Sequence, residues 1–427
     1  MDVKKRAELL NHYTANFFKK RHQHAIQANV LSENITEALR NKNIPEEDIV
    51  ERRREILKST GTAALRRRGL ELDDFERLEL LGSGGFGEVT LVRYKETGRL
   101  YALKKISKQH VLKHKDTLFH LLNEQQIMTF NLSDRLVKLW GSFQDDEFIY
   151  FVMDFMQGGD FMTLVWQRRR FSEEEAKFYA AEIIVALHEL HQNEFIHRDI
   201  KPENILIRKD GHLVLADFGL SHVSSSKPSE FVEMQLSQMG QMPEPSEEDL
   251  RLWRYRMRAK SKVGTPDFAA PELLTNRSPK YDHAVDFWSL GIIIYLMVYG
   301  FLPFRGRSKQ ELLNRIVNYR LELNFPSRYR ISPELRDLIS NLLKGQRNRL
   351  GRKNINEIFD HPWFEGIDWE NLHNMTPPHV PEFESETDVS RFKDVLEYNA
   401  PIRDHTLDLR EFDSVFNLYT FNEIPRE

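Results

Sequence analysis

A glycine-rich segment between two β-type runs is the feature that most restricts how this chain can fold. Residues 82–89 read GSGGFGEV, which fits the pattern G-x-G-x-x-G-x-V. The shorter pattern G-x-G-x-x-G also marks dinucleotide sites, but there a helix follows it, whereas here the β-branched run EVTLVRY follows. The segment therefore predicts a β-hairpin whose backbone amides can approach the phosphates of a nucleotide. The alternative is a flexible hairpin without a ligand.

The composition excludes several classes of protein. The 427 residues contain no cysteine, which excludes disulfide scaffolds, thiolate zinc sites, iron–sulfur clusters and cysteine nucleophiles. Hydrophobic residues make up 40% of the chain and charged residues 30%, so we expect a globular protein of about two to three domains. The N-terminus lacks the apolar core of a secretory signal. We therefore expect a cytoplasmic protein, present also in the nucleus.

The longest apolar run, residues 290–304, is shorter than the roughly 20 residues of a membrane-spanning helix. We interpret it as the buried central helix of a large domain, and we expect no transmembrane segment. A second helix is predicted at 172–192, where Ser172 and Glu175 form a capping box. Helical patterns dominate residues 160–364.

The regions on either side of this helical part have other textures. Residues 75–152 contain short β-type runs and one helical stretch at about 109–129, which predicts a mostly antiparallel sheet with one helix. Residues 365–427 are rich in Pro, Asp and Glu and predict an extended tail. Residues 1–72 predict two polar helices and contain fifteen Lys/Arg against ten Asp/Glu, within a chain of net charge −4. Such an arm suits an acidic partner, a nucleic acid or a membrane surface; the alternative is a solvated basic helix pair.

Lys104, at the end of the next predicted strand, also indicates a nucleotide site. Residues 101–104, YALK, fit a strand ending in the lysine of the V-A-I-K pattern. Lys105 should point to the opposite face, because side chains alternate along a strand. Glu124, in the next predicted helix, can hold the ammonium of Lys104.

Further motifs follow in a fixed order. Residues 197–204, HRDIKPEN, fit H-R-D-x-x-x-x-N, and DFG follows at 217–219. The tripeptides Gly-Thr-Pro at 264–266 and Ala-Pro-Glu at 270–272 come next, followed by the sequence DFWSLG at 286–291. With these motifs the sequence resembles the eukaryotic protein kinases, and DIKPEN resembles their serine/threonine type.

The resemblance implies an α+β, bilobal protein kinase fold. A small antiparallel β-rich N-lobe with one key helix would span 75–154, and a larger α-helical C-lobe would span 155–364. A helical N-terminal arm, 1–74, would precede this kinase domain, and a C-terminal tail, 365–427, would follow it.

The resemblance also implies a role for each motif residue in transfer of the ATP γ-phosphate to Ser or Thr. Asp199 would accept or orient the hydroxyl proton, with Lys201 and Thr265 in support. Asn204 and Asp217 would hold Mg²⁺, and Lys104 would bind the α- and β-phosphates. The ATP site as a whole would comprise Gly82, Gly84, Gly87, Val89, Ala102, Lys104, Glu124, Met153, Asp154, Asp160, Leu206 and Asp217.

The same comparison predicts the substrate class. Asp160 and Glu203 stand where kinases that prefer basic substrates have acidic residues, which would bind arginine side chains of the substrate. Leu296 stands where many of these kinases have glutamate, which leaves a second arginine site open.

The C-terminal tail resembles that of the AGC group of kinases. Residues 416–421, FNLYTF, resemble its hydrophobic motif, and Phe392 is expected near the nucleotide. An upstream kinase would phosphorylate Thr420, and the aromatic side chains would fill a groove beside the Glu124 region. The alternative is that these aromatics only pack the tail.

Two features resemble the nuclear Dbf2-related and large tumour suppressor (NDR/LATS) branch of that group. An insert at about 221–262 lengthens the activation segment and ends in a basic run beside Ser261, an expected phosphosite whose phosphate would pair with Arg198. A competing interpretation makes this run a nuclear localisation or nucleic-acid patch, although we expect no nucleic-acid partner. The N-terminal arm resembles the region by which the branch binds MOB co-activators. The residues expected at that contact are Tyr13, Lys19, Lys20, Arg21, Arg52, Arg53 and Arg54.

Two alternatives stay open. One is an AGC kinase of another branch that uses no MOB protein. The other is a kinase-fold scaffold with little turnover, against which the intact Lys104, Asp199, Asn204 and Asp217 weigh.

Overall fold

A computed structural model of the chain describes residues 70–84, 87–113, 121, 124–125, 127–129, 133–223, 267–274, 282–392, 421–422 and 424–425. The predicted MOB-contact residues, Ser261, Thr265 and Thr420 lie outside these described residues.

The described residues form ten strands, most of them in one antiparallel sheet. That sheet has six strands in the order β1-β2-β3-β5-β4-β10, and two further pairs are β6 with β9 and β7 with β8. The strands are β1 Phe75–Gly84, β2 Gly87–Tyr94, β3 Leu100–Ser107, β4 Leu139–Gln144, β5 Phe148–Asp154, β6 Phe195–Ile196, β7 Ile205–Ile207, β8 Leu213–Leu215, β9 His222–Val223 and β10 Phe421–Asn422. The expected antiparallel N-lobe sheet is thus confirmed, with a sixth strand from the C-terminal tail.

Helices make up most of the second lobe. The α-helices with described bounds are α1 Lys108–Lys113, α2 Phe161–Arg168, α3 Glu173–Gln192, α4 Pro271–Leu274, α5 Ala284–Tyr299, α6 Lys309–Val317, α7 Tyr319–Glu322, α8 Pro333–Leu342 and α9 Asn356–Phe359. Residues 121, 124–125 and 127–129 are also helical and are called the Glu124 helix. The α+β bilobal architecture is confirmed.

The large core forms around α5. All sixteen residues of α5 are buried, and α3 and α8 pack against it. The predicted buried helix is confirmed, but it spans 284–299 and not the whole apolar run 290–304, because Gly300 adopts a left-handed conformation with φ of 75° and ends it. Ser172 caps α3 by accepting from the Glu175 amide, while the Glu175 carboxylate accepts from the Ser172 amide. This reciprocal pair satisfies two amides that the first turn would otherwise leave unpaired, so the predicted capping box is confirmed.

The two faces of the N-lobe sheet have separate cores. One face carries stacked aromatic rings, with 5.8 Å between the centroids of Phe75 and Phe143 and 4.7 Å between those of Phe143 and Tyr150. Ile424, just after β10, is buried in the same cluster. In β10, Phe421 pairs with Ser142, so the tail covers the β4 edge of the sheet.

No helix in the described part of the chain is long and apolar enough to cross a membrane.

Candidate active site

The β1–β2 hairpin and the strands beside it form the roof of the candidate site. Gly84 pairs with Gly87 across the turn, and Val89 pairs with Lys104 on β3. Gly87 has φ of +147°, and a Cβ there would lie 1.8 Å from the carbonyl oxygen of Lys105. Only glycine fits at that position, since a side chain would collide with β3.

An apolar surface continues from this roof to the tail. Ala102 pairs with Met153 across β3 and β5, and both belong to a cluster that also contains Val89. Phe392 joins this cluster, and its ring centroid lies 6.2 Å from that of Phe155. The structure therefore brings together three of the four apolar side chains predicted for the ATP site, Val89, Ala102 and Met153, and places Phe392 beside them.

A lysine and two carboxylates lie below the roof. Lys104 Nζ lies 2.5 Å from Glu124 Oε1, and both side chains are nearly inaccessible to solvent. Burial alone would lower the pKa of Lys104, but attraction by Glu124 and Asp217 outweighs it and raises the pKa. The neighbouring Lys105 instead lies near Glu88, with 3.8 Å between Nζ and Oε1, and over the Phe148 ring. The alternation along β3 thus separates the two lysines.

Asp217 faces the same lysine from the C-lobe. Burial alone would raise its pKa, but Lys104, His197 and Lys201 together lower it below the ordinary value. Its backbone has φ of 59°, in the left-handed region that a non-glycine residue seldom adopts. The carboxylate is therefore ionised at neutral pH and held by a strained backbone, a combination found at functional sites.

Three polar residues of the 197–204 segment make direct contacts. Lys201 Nζ donates to Asp199 Oδ2 at 2.7 Å. Asn204 Nδ2 donates to the backbone oxygen of Asp199 at 2.9 Å and to Asp199 Oδ2 at 3.0 Å. Because both Asn204 bonds use its nitrogen, its amide oxygen remains available as a ligand for a cation.

Asp286, named only as part of a motif in the sequence, supports this segment from below. Its fully buried carboxylate accepts the amides of His197 at 2.9 Å and Arg198 at 2.8 Å, and it lies 2.7 Å from His191 Nε2. Burial alone would raise the pKa of Asp286, but His191, His197 and the Arg198 amide lower it. Arg198 has φ of 68°, so Asp286 fixes a strained turn directly before Asp199.

Asp160 and Glu203 lie at the edge of the candidate site. Asp160 caps α2, because its two carboxylate oxygens accept the amide and the hydroxyl of Thr163 at 2.8 and 2.9 Å. It also forms a backbone bridge with Leu206, which places Leu206 next to it. Burial raises the pKa of Glu203, and the nearby carboxylates of Asp160 and Asp199 add to the rise, against the effect of Lys201. The two predicted substrate-binding acids are therefore electrostatic neighbours.

The sequence did not predict several of these contacts. Asp154 Oδ1 accepts from Trp140 Nε1 at 2.6 Å, so its side chain is held on the sheet. Gln125, next to Glu124, donates from Nε2 to Ser142 Oγ at 3.1 Å in a buried contact. Neither contact has a signal in a single sequence, because the partners are brought together by the folding of separate strands and helices.

The arrangement combines an apolar slot, a buried ammonium and acidic or amide oxygens at the boundary of two lobes. An apolar slot suits an aromatic base, an ammonium suits phosphate, and carboxylate and amide oxygens suit a hard divalent cation. Fold and site together define a bilobal protein kinase.

Known proteins match this chain in sequence. Residues 75–364 match the family described as "Protein kinase domain". The "Serine/threonine-protein kinase CBK1" of Pneumocystis carinii is 37% identical over 351 residues, 78% of this chain and 68% of the relative. The proteins of the same name from Yarrowia lipolytica and Saccharomyces cerevisiae are 37% and 36% identical over 413 and 426 residues. These alignments cover 87% and 90% of this chain, and 68% and 55% of the relatives. The chain belongs to the protein kinase family, and within it to the NDR/LATS branch of the AGC kinases.

Proposed function

We propose that this chain transfers the γ-phosphate of ATP to serine or threonine in basic sequences. The observation that carries the proposal is the convergence of Asp199 with Lys201 and Asn204, beside the buried pair of Lys104 and Glu124. Transfer of a phosphoryl group depends mainly on positioning and on charge stabilisation, and this arrangement provides both.

Asp199 is the proposed group that accepts or orients the hydroxyl proton of the substrate. Its Oδ2 is already held by the Lys201 ammonium and the Asn204 amide, so the other oxygen can face the hydroxyl. Lys201 also places a positive charge next to the group that is transferred. Thr265, which lies outside the described residues, keeps its predicted supporting role as a proposal.

ATP and Mg²⁺ fit the chemistry of the residues present. Lys104 is the proposed ligand of the α- and β-phosphates, and its raised pKa keeps it charged at neutral pH. The ionised Asp217 and the free amide oxygen of Asn204 are the proposed metal ligands. When bound, Mg²⁺ neutralises negative charge on the phosphate oxygens.

The proposed preference for basic substrates depends on Asp160 and Glu203. Asp160 is held rigidly by its capping bonds to Thr163, so a substrate guanidinium meets an oriented carboxylate. Glu203 has a raised pKa, so its charge is lost as the pH falls toward that value. We expect the KM for an arginine-rich peptide to rise as the pH is lowered from neutral toward the raised pKa of Glu203, and the Glu203→Gln variant to have a higher KM with a flatter profile. A peptide without arginine is the control, and an equal KM for both enzymes would contradict the role of Glu203.

Regulation through the tail is part of the proposal. The strand that follows Thr420 pairs with β4 at Ser142, and Ser142 accepts from Gln125, the neighbour of Glu124. Docking of a phosphorylated tail would therefore stabilise the position of the Glu124 helix, which holds Lys104. Phosphorylation at Thr420 by an upstream kinase, phosphorylation at Ser261 and binding of a MOB co-activator to the N-terminal arm complete the proposed control.

The test is phosphate transfer from Mg-ATP to an arginine-rich serine peptide, with and without a purified MOB protein. We expect transfer that increases when MOB is added, and we expect Asp217→Asn to abolish it. Asp210→Asn is a matched control, since that aspartate lies on a surface turn and pairs with Arg208. Transfer that does not respond to MOB would favour an AGC kinase of another branch. If a preparation in which Thr420 is phosphorylated transfers no phosphate, the scaffold alternative is favoured.

A further inference from the structure

A cavity of about 610 Å³ lies in the C-lobe, lined by none of the residues of the active site. It is bounded by α7, the loop after it, the last part of α8 and the turn that follows. The lining residues are Tyr319, Arg320, Leu323, Phe325, Arg336, Ser340, Leu343, Lys344, Gly345 and Asn348. Its volume is within the range of ligand-binding clefts, roughly 300–1,000 Å³.

The cavity has an aromatic and aliphatic floor that is held in place. The Tyr319 ring packs edge-on against the buried Trp288, with 5.3 Å between centroids. The Tyr319 hydroxyl lies so close to the backbone of Gly345 that a Cβ there would come within 2.9 Å of it. The floor is therefore formed by fixed side chains and needs little rearrangement to receive an apolar group.

Three cations surround this floor, and the lining contains no carboxylate. Among the described residues, Arg320 donates to the Tyr319 hydroxyl at 3.2 Å and Lys344 donates to Asn341 Oδ1 at 2.6 Å. The Arg336 guanidinium lies over the Phe325 ring at 4.9 Å. These neighbours are all neutral.

A nearby cation of the same lobe is instead paired with acids. Arg315, five residues before Arg320, lies 3.0 Å from Glu311 and 3.6 Å from Glu322. The positive charge around the cavity is therefore concentrated and uncompensated in the part of the chain that the structure describes. Leu321, adjacent in sequence to Arg320, is 88% exposed and adds an apolar contact outside the cavity.

We propose that this cavity binds an acidic peptide segment that inserts one aromatic side chain between Tyr319 and Phe325. Carboxylates on either side of the aromatic residue would pair with Arg320, Arg336 and Lys344, which gives charge-assisted hydrogen bonds in place of water. An exposed leucine beside the mouth favours a peptide over a small anion, because an extended chain can cover it.

The difference in charge between the cavity and the active-site edge implies how such a peptide acts on the enzyme. The active-site edge carries Asp160 and Glu203 and suits a basic acceptor sequence, whereas the cavity suits an acidic one. Resting on the proposed function, a substrate with both sequences would bind at two points and would gain effective concentration at the active site. Docking would lower the KM and leave the kcat of a short basic peptide unchanged.

The first experiment measures binding without ATP or turnover. The probe is a fluorescein-labelled peptide in which one phenylalanine is flanked by glutamates, and the assay is fluorescence anisotropy with the full chain. We expect the double variant Arg320→Glu/Arg336→Glu to weaken binding at least about tenfold, since each reversal replaces an attraction by a repulsion. Arg347→Glu is the matched control, an exposed cation of the same region that does not line the cavity, and we expect its Kd within about twofold of the unchanged chain. A peptide with alanine in place of phenylalanine should also bind more weakly.

Several outcomes would overturn the proposal. Equal affinity of the double variant and the unchanged chain would place the peptide elsewhere, and no binding would remove the site. Equal affinity of the alanine peptide would show that the floor receives no side chain. Anionic vesicles that bind more tightly than the peptide, with binding lost in the double variant, would assign the surface to a membrane instead. The two arginines changed in the double variant and the control Arg347 are all exposed, so equal melting temperatures should show that all variants fold.

A second experiment separates this site from the active site. A basic acceptor peptide is compared with the same peptide joined to the acidic segment by a flexible linker. We expect a lower KM for the joined peptide, and we expect the double variant to lose that gain while its kcat on the basic peptide stays unchanged. A lower KM that persists in the double variant would overturn the docking role. If no peptide is phosphorylated, the proposed function fails, and the anisotropy result still decides whether the cavity binds.

Discussion

The Asp286→Asn substitution tests how the segment around Asp199 is held. The Asp286 carboxylate accepts the amides of His197 and Arg198 and contacts His191, and it is fully buried. An asparagine has one oxygen and one NH₂ group in place of two oxygens. In either orientation of the asparagine side chain, the backbone N–H of His197 or of Arg198 then faces its NH₂ group and has no acceptor. The hydrogen bonds that remain are made to a neutral group and no longer to a charged one.

The cost follows from these contacts. An unsatisfied buried donor costs about 1–3 kcal/mol, and bonds to a charged group are stronger than neutral ones, so we expect about 3 kcal/mol in total. For a unit of the size of the C-lobe this corresponds to a decrease in Tm of about 6–12 °C. The strained φ at Arg198 would relax, which would move Asp199. We expect kcat to fall about a hundredfold with little change in the KM for ATP, because a misplacement of about 1 Å has that effect.

The assay combines thermal melting, measured by circular dichroism, with steady-state kinetics. Asp282→Asn is the control, because Asp282 lies shortly before Asp286 but is partly exposed and pairs with Arg352 near the surface. Its Tm should change by less than about 3 °C. A decrease in Tm of less than about 2 °C for Asp286→Asn, or a kcat within about threefold of the unchanged enzyme, would refute the reasoning.

The pH dependence gives a second check of the same reasoning. Because the folded-state pKa of Asp286 is lowered, its stabilising contribution is fully present above the unfolded pKa, near 3.9, and is lost as the pH falls through the folded value. The difference in Tm between Asp286→Asn and the unchanged chain should therefore be constant near neutral pH. It should become smaller only in strong acid.

Three further substitutions test other parts of the fold. Lys104→Met leaves the Glu124 carboxylate buried without its cation, so we expect the free energy of unfolding to fall by about 3–5 kcal/mol near pH 8. The loss should be smaller near pH 5, because the raised pKa of Glu124 lets it take a proton there. Melting at both pH values measures the difference, and a loss that does not depend on pH would contradict it. Arg349→Met removes the buried guanidinium that donates two hydrogen bonds to Glu272, at 2.5 and 3.0 Å. We expect the free energy of unfolding, measured by urea denaturation, to fall by about 3–5 kcal/mol. A decrease below about 1 kcal/mol would mean that the ion pair adds little stability. Ile424→Ala removes a side chain that is 1% exposed, so the tail should lose about 2–4 kcal/mol of docking energy and be cleaved faster in limited proteolysis; an unchanged cleavage rate would show that the tail is held by other contacts.

The sequence predicted the elements that have a local signal. The glycine hairpin, the capping box at Ser172 and the buried helix α5 each depend on residues a few positions apart. The kinase motifs supplied the order of the site and the expected pair of Lys104 with Glu124, which the structure places in contact.

Contacts between distant segments could not be predicted in this way. Asp286 lies 88 positions from Arg198 and 89 from His197, and no periodicity links them. Strands β6 and β9 have two residues each, too few for an alternating pattern. The capping role of Asp160 was also missed, because the motif comparison assigned that carboxylate to a ligand.

That double use of Asp160 bears on how the site recognises a basic substrate. Both oxygens of the carboxylate already accept hydrogen bonds from Thr163, so its orientation is fixed before any peptide arrives. A carboxylate oxygen has more than one acceptor position, so a guanidinium can still bind without breaking the cap. The side-chain entropy that a free carboxylate would lose on binding has then been lost already on folding. A Thr163→Ala variant, which keeps the amide but removes the hydroxyl bond, should therefore raise the KM for an arginine-rich peptide by a few-fold, and should leave the KM for ATP and the fold unchanged.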